Sequence, residues 1–311
     1  MRALFLGTPE FAVPTLRAML KAGVEVAGVI TQPDRPAGRG QKETASPVKR
    51  VALESGLDVS QPLKIKDPEA VEYVHRAAPD VIVVVGYGQI IPRTVFEFPR
   101  LGTINVHASL LPKYRGAAPI QWAIANGETA TGVTIMRIEA ELDTGDILLQ
   151  RECAIGPEET APHLAARLAE TGAELLVETL RALECGTIIP RKQDAAGATY
   201  APILKKEDGR IDWSMSARRI ADRVRGFDPW PGAYTTFRGQ LLHLRRARAA
   251  AGASAAPGTL AAQGSSLRAA CGDGWLEILE LQPEGKRRQT AEGFLNGRQP
   301  RSGEMLGGER P

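Results

Sequence analysis

The sequence predicts an α/β protein in two parts, a doubly wound sheet followed by a smaller, basic β-domain. Three observations carry this prediction. From the N-terminus to about residue 185, apolar strand-like runs alternate with stretches of helical spacing. One of those runs, from Val81 to Val85, is β-branched throughout, the pattern of a strand buried on both faces. Beyond residue 204 the texture changes to short strand-like runs punctuated by Gly and Pro. With 311 residues and 43% apolar composition, the chain exceeds one ordinary domain and can bury a substantial core.

Residues 2–6 are strand-like, Gly7 to Pro9 turn the chain, Phe11 to Leu20 has helical spacing, and V-E-V-A-G-V-I returns as a strand. The turn G-T-P-E lacks the second and third glycines of G-x-G-x-x-G, so this β-turn-α-β unit carries no dinucleotide fingerprint. The next connection, Gln32 to Ser46, is long, polar and basic, with Arg35, Arg39 and Lys42. Such a loop suits a phosphodiester backbone as well as a plain surface insertion. Ser46 is placed to N-cap a helix with Pro47 in its first position. The Val81–Val85 strand ends in G-Y-G-Q, whose Gly86 and Gly88 let a backbone approach a flat ligand.

Residues 102–106 form the next strand, 119–125 a short helix, 132–138 an alternating strand and 147–151 another. Thr160 can cap a long helix running to Cys185, with Leu164, Leu168, Leu175, Leu176, Leu180 and Leu183 on its apolar stripe and Gly186 as its stop. The aperiodic polar run 190–202 reads as a linker. After it, Ser214 is expected to cap a helix bearing Arg218, Arg219, Arg223 and Arg225. Strands are expected near 240–248, 258–261, 266–271 and 275–281, and a disordered tail from Gln299.

The net charge of +3 conceals an asymmetry. Residues 205–311 hold 18 Lys and Arg against 12 Asp and Glu, whereas the rest holds 21 against 24. A basic final third suits a polyanionic partner or a merely solvated face. Cys153, Cys185 and Cys271 are odd in number and show no C-x-x-C, which speaks against a disulfide framework or a zinc site. No apolar run nears the roughly 20 residues of a membrane helix, and the first residues read as a strand rather than a leader, so a cytoplasmic protein is expected.

The chemistry concentrates in I-N-V-H-A-S-L-L-P-K-Y-R-G, residues 104–116, and E-L-D-T-G-D, residues 141–146. In a strand, Asn105 and His107 leave the same face, and the break at Ser109, Pro112 and Gly116 puts them at a strand end. Histidine exchanges protons near neutral pH, asparagine can donate to a developing oxyanion, and aspartate can orient an imidazole. Ser109 lacks the G-x-S-x-G context of a nucleophile, and one His with Asp143 and Asp146 lacks a metal-ligand spacing. Each of the three residues taken singly also suits a structural role. Together they suit attack on a carbonyl by an external amine or by water.

The run N-V-H-A-S-L-L-P-K-Y-R-G-A-A-P-I, followed by L-D-T-G-D-I-L, resembles the folate-dependent formyltransferases. F-L-G-T-P-E-F-A, T-Q-P-D-R-P-A-G-R-G, S-P-V-K, R-I-D-W, F-D-P-W-P, L-Q-P-E-G-K and F-L-N-G resemble the branch of that family acting on initiator tRNA, and they span residues 5 to 297 in the right order. The resemblance implies a Rossmann-like formyltransferase domain, a linker and a C-terminal OB-like β-barrel that binds tRNA, here assigned to residues 1–189, 190–204 and 205–311. It implies transfer of a formyl group from 10-formyltetrahydrofolate, as substrate, to the α-amino group of methionyl initiator tRNA for translation initiation, without a metal; a monomer is expected. By position, Asn105, His107 and Asp143 match the catalytic trio. Ser109, Leu110, Leu111 and Pro112 match the segment contacting tetrahydrofolate, and Val85, Gly86 and Tyr87 the strand end lining the pterin pocket. The loop with Arg35, Arg39 and Lys42 matches the insertion that meets the tRNA acceptor arm. Glu141 departs from the glycine many tRNA-specific members carry there, and the loop tip Q-K-E-T-A lacks an expected apolar residue.

Overall fold

The computed structural model describes residues 1–37, 42–252 and 255–308. Packing divides the chain into two compact units. The first comprises Met1–Gly116, Thr131–Ala154 and Ala165–Tyr200; the second comprises Ala117–Ala130, Ile155–Leu164 and the chain from Ala201 onward.

In chain order the strands of the first unit are β1 (Arg2–Gly7), β2 (Glu25–Ile30), β3 (Arg35–Ala37), β4 (Lys42–Thr44), β5 (Val59–Ser60), β6 (Val81–Val85), β7 (Thr103–His107), β8 (Arg115–Gly116), β9 (Ala130–Arg137) and β10 (Ile147–Ala154). The main sheet runs β10-β9-β7-β6-β1-β2-β5. It is parallel from β5 to β7, and β9 joins β7 antiparallel. All five residues of β6 are buried, as its β-branched run predicts for a central strand. Chain order reverses between β1 and β6, so the ends Gly7 and Val85 flank a topological switch point, the place where open α/β sheets hold ligands.

Of helices α1 (Val13–Lys21), α2 (Pro47–Glu54), α3 (Pro68–Ala77), α4 (Arg93–Phe96), α5 (Pro119–Ala125) and α6 (Ala161–Glu184), the first two and the last two follow the predicted pattern with local adjustments, and α3 and α4 add to it. A short 3-10 turn at Glu10–Ala12 precedes α1, because Pro14 fits only the first turn of a helix. Ser46 caps α2 as expected, its hydroxyl accepting from the Lys49 amide at 3.1 Å with Pro47 beginning the helix. The six leucines of the α6 stripe are all buried, and a Cβ on Gly172 would sit 2.9 Å from Val106 Cγ1. That close approach puts α6 on the Val106 face of β7 and leaves Asn105 and His107 on the other. Within the 32–46 connection β3 and β4 pair antiparallel as a two-stranded ribbon, Arg35 opposite Thr44 and Ala37 opposite Lys42.

In the second unit, β11 (Tyr200–Ala201), which straddles the boundary, is followed by α7 (Ala217–Gly226), β12 (Tyr234–Phe237), β13 (Gln240–Ala250), β14 (Leu260–Gln263), β15 (Ser266–Ala270), β16 (Trp275–Pro283), β17 (Gln289–Thr290) and α8 (Ala291–Arg298). An antiparallel sheet in the order β12-β13-β16-β15-β14, with β17 on β16, surrounds a core that includes Trp213, Ile220, Leu244, Leu276 and Phe294. The tail was expected to be disordered, and residues 303–307 instead bond both edges of this sheet. Leu306 N donates to Gly258 O and Gly307 N to Thr236 O, with bridges Phe237 to Leu306 and Thr259 to Met305. Open strand edges carry unpaired amides and carbonyls, and this segment satisfies both at once.

The cap of α7 is Ser216 rather than Ser214. The Ser214 amide and hydroxyl are taken by Asp212 Oδ1, so the helix begins two residues later, with Ser216 accepting from Arg219 N. The arginines of α7 are also less available than their count suggests. Arg225 is buried, bonded to Asp222 and to the carbonyls of Gly156 and Glu159. Arg218 pairs with the same Asp222, and Arg223 donates to Asp208 O and lies over the Phe227 ring.

Candidate active site

β7 carries Asn105 and His107 on one face, with Asn105 opposite Met136 and His107 opposite Thr134 on β9. His107 is 6% exposed. Its Nε2 lies 2.9 Å from Tyr114 O, and since a carbonyl only accepts, Nε2 carries the proton. Nδ1 faces Asp143 Oδ2 at 3.8 Å. The imidazole is therefore held between a carbonyl on one side and a carboxylate on the other. Asn105, half-buried beside it, makes no hydrogen bond with its amide among the described residues, so its donors are free.

Both partners of His107 sit on backbone that L-residues adopt at a cost. Tyr114 has φ +61° and Asp143 φ +53°. Left-handed backbone at a non-glycine residue costs on the order of 1–3 kcal/mol and persists only where surrounding bonds hold it, although aspartate bears it more easily than most. Those bonds are present. Asp143 Oδ2 accepts from Gly116 N at 2.8 Å, and Gln193 Nε2 donates to both Asp143 O and Gly145 O at 2.8 Å. Gln193 is itself gripped by the Arg115 guanidinium, whose Nε and terminal nitrogen reach its Oε1 at 3.1 and 2.8 Å. On the other side, Tyr114 N donates to Thr199 Oγ1 at 2.9 Å and Arg115 N to Thr199 O at 2.8 Å. Glycine is required at 145, where a Cβ would stand 2.0 Å from Arg137 O.

The S-L-L-P segment is framed in the same manner. Thr134 Oγ1 donates to Ser109 O at 2.7 Å and accepts from Leu111 N at 3.1 Å, and Gln150 Nε2 donates to Leu111 O at 2.7 Å. Ser109 is fully buried and its hydroxyl donates to Lys113 O at 2.6 Å, so this side chain shapes the loop. Leu111 packs with Met136 and Ile147, while Leu110 and Pro112 are half-buried.

Val85 is buried at the end of β6, and Gly86 is exposed with φ +56°. The Tyr87 ring turns into the core with Leu4, Leu6, Ile30 and Ile65, and burial pushes its hydroxyl up to about 12. What Tyr87 presents toward the switch point is its carbonyl, which accepts from Thr8 Oγ1 at 3.3 Å and Gln32 Nε2 at 3.1 Å. Of the three basic residues of the ribbon, Arg35 is exposed with one long bond to Gln32; Arg39 and the Lys42 side chain lie outside the described residues. The ribbon is rooted by Asp34, which bonds Lys49 Nζ at 2.6 Å and Gln61 Nε2 at 2.8 Å.

The structure thus brings Asn105, His107 and Asp143 together with Tyr114 and Arg115 of the K-Y-R-G run, and adds Gln193 and Thr199, which sequence reasoning had not marked. No local signal marks the last two, whose partners lie 50 and 85 residues away. Among the described residues no three His, Cys, Asp or Glu side chains converge as a metal site would require.

The model of the formyl transferase family matches residues 1–180, and that of the formyl transferase C-terminal domain matches residues 203–299. The chain is 58% identical over 307 residues to the methionyl-tRNA formyltransferase of Solibacter usitatus, covering 99% of each. Among solved structures it resembles WlaRD, a sugar 3N-formyl transferase crystallised with dTDP and 5-N-formyl-THF, at a TM-score of 0.68 and 19% identity, covering 92% of this chain and 99% of that one. It also resembles HypX from Aquifex aeolicus, solved with tetrahydrofolic acid, at a TM-score of 0.62 and 22% identity; that match takes in 95% of this chain and about half, 47%, of HypX.

Proposed function

Because the chain belongs to the formyl transferase family across both of its matched regions, we propose that it moves a formyl group from 10-formyltetrahydrofolate to the α-amino group of methionyl initiator tRNA, serving translation initiation. In this reading residues 1–189 hold the chemistry, 190–204 link, and 205–311 form an OB-like tRNA-binding domain in a cytoplasmic monomer. Closure of the C-terminal sheet by residues 303–307 supports the barrel assignment.

The observation that carries the mechanism is the buried imidazole clamped between Tyr114 O and Asp143, with the free amide of Asn105 on the same strand face. The unprotonated methionine amine attacks the formyl carbon. Asn105 and protonated His107 stabilise the resulting oxyanion, and Asp143 keeps the ring placed while a proton passes to the departing folate nitrogen. For His107 to reach the intermediate, one of its N–H groups must be released from its protein partner, so the Nε2–H bond to Tyr114 O exchanges as substrate arrives. Ser109 to Pro112 and the Val85–Tyr87 strand end hold the folate, the latter through backbone and Gly86 rather than the tyrosine ring. Arg35, Arg39 and Lys42 meet the acceptor arm.

One assay tests this against its rivals, a small-amine formyltransferase and a folate hydrolase. The protein is incubated with 10-formyltetrahydrofolate and methionyl initiator tRNA, elongator tRNA, a small amine, or no acceptor, and the formyl group is followed. Formyl on initiator tRNA alone is expected. Formate released without an acceptor at the same rate overturns the transferase reading.

A further inference from the structure

We propose that Gln193 is a positioning residue for the reaction, and that residues 193–199, read from the sequence as a linker, set both groups that flank the His107 ring, the carbonyl bonded to Nε2 and the carboxylate facing Nδ1. The proposal rests on the formyl-transfer reading. Its basis is a closed set of bonds. The Gln193 amide spends both donors on carbonyls of the acidic turn, Asp143 O and Gly145 O, while its oxygen is filled by two nitrogens of Arg115. Arg115 is 7% exposed, so a buried guanidinium finds its acceptor in this one amide. Six residues on, Thr199 takes the Tyr114 amide on its hydroxyl and the Arg115 amide on its carbonyl, and its own N–H donates to Pro112 O. Tyr114 O and Asp143 are the two groups facing the imidazole. A single short segment therefore fixes the carbonyl at Nε2 through Thr199 and the carboxylate at Nδ1 through Gln193.

The side-chain chemistry required at 193 is narrow. Both carbonyls need a donor and Arg115 needs an acceptor, and a primary amide is the one neutral group of this size that supplies both. Glutamate keeps the shape and the Arg115 contact but brings a carboxylate against two carbonyls. The turn must then move, and Asp143 moves with it.

Gln193→Glu and Gln193→Ala are compared with the parent, after thermal unfolding shows each is folded; Gln193→Glu keeps Arg115 paired and remains informative if Gln193→Ala fails to fold. For both, kcat with methionyl initiator tRNA is expected to fall about 10- to 100-fold, the scale of a misplacement near 1 Å, with KM for donor and acceptor within about threefold. The ¹⁵N spectrum of the imidazole gives a readout that needs no turnover. In the parent the neutral ring is the Nε2–H tautomer, and in Gln193→Glu the Nδ1 resonance of His107 shifts while the Nε2 proton stays. Turnover within twofold of the parent, a raised KM at unchanged kcat, or an unmoved Nδ1 resonance overturns the proposal. A parent protein that formylates no acceptor overturns the formyl-transfer reading instead, and the Nδ1 resonance still decides the positioning role.

Discussion

The strand end at Asn105–His107 and the basic ribbon of β3 and β4 are both read as functional, and they are built in opposite ways. At the strand end the His107 ring is buried and bonded to Tyr114 O, and the acidic turn beside it is tied by backbone and side-chain bonds, which leaves the Asn105 amide as the open donor. The ribbon consists of two three-residue strands with exposed Arg35, held to the body at its root by Asp34, Lys49 and Gln61. The difference follows from the tasks. Stabilising a transient oxyanion needs donors fixed in advance, because reorganisation during the reaction forfeits the gain. Gripping a phosphate backbone needs charge that can follow its partner.

The contrast is tested most severely at Asn105. Asn105→Ala is expected to lower turnover by roughly 10² to 10³ fold, the loss seen when one oxyanion donor is removed, with folding intact. Near-full turnover removes Asn105 from the chemistry. Gly145→Ala comes next. Its Cβ would stand 2.0 Å from Arg137 O, so the acidic turn must shift, and kcat is expected to drop about 10²-fold. A variant that turns over normally would mean the site tolerates displacement, and the two regions would then not differ in rigidity.

At the ribbon smaller effects are expected, and of another kind. Arg39→Ala should weaken use of tRNA and lower the slope of log affinity against log salt by about one, leaving turnover at saturating tRNA little changed. It should exceed the effect of Arg219→Ala in α7; equal effects would place the acceptor arm elsewhere. The smallest change concerns acid. The hydrogen bond from Lys49, joined by that from Gln61, holds the Asp34 carboxyl below its ordinary value of 3.8. A depressed carboxyl stabilises the fold above the unfolded value, and that contribution is lost as pH falls through the folded one. Asp34→Asn should therefore lose less thermal stability than the parent on going from about pH 5 to pH 3. Equal losses would show that the root of the ribbon carries no pH-dependent strength.

What the sequence reveals and conceals divides along physical lines. The β6 run, the leucine stripe of α6 and the shared face of Asn105 and His107 were legible because period and parity are local properties of the backbone. Gln193 and Thr199 were not, because their bonds cross 50 and 85 residues and nothing in a local window marks the acceptor. Tyr87 showed the limit of proximity. A residue between two flexible glycines at a ligand-facing strand end still sent its ring into the core, since burying an aromatic ring is strongly favourable. Arg225 showed the limit of counting charge, because a salt-bridged arginine bonded to two carbonyls contributes little to a surface field. The tail looked idle by composition, and its order comes from two open strand edges far away in the chain.

The second unit is assembled from three separate pieces of chain, and this limits how the protein can be taken apart. Helix α5 belongs with α7: Gly226 lies where a Cβ would come 2.9 Å from Ala125 N, Trp122 meets Phe227 edge-on at 5.4 Å, and Trp122 Nε1 donates to Pro202 O. A chimaera joined at residues 190–204, exchanging everything downstream with a relative, would leave α5, with its buried Ile124, facing a foreign helix. Exchanging the second unit between members of this family therefore means carrying residues 117–130 and 155–164 along with the C-terminal third. The inheritable module is a patchwork of segments, and a recombination library that respects only the linker would cut through its packing.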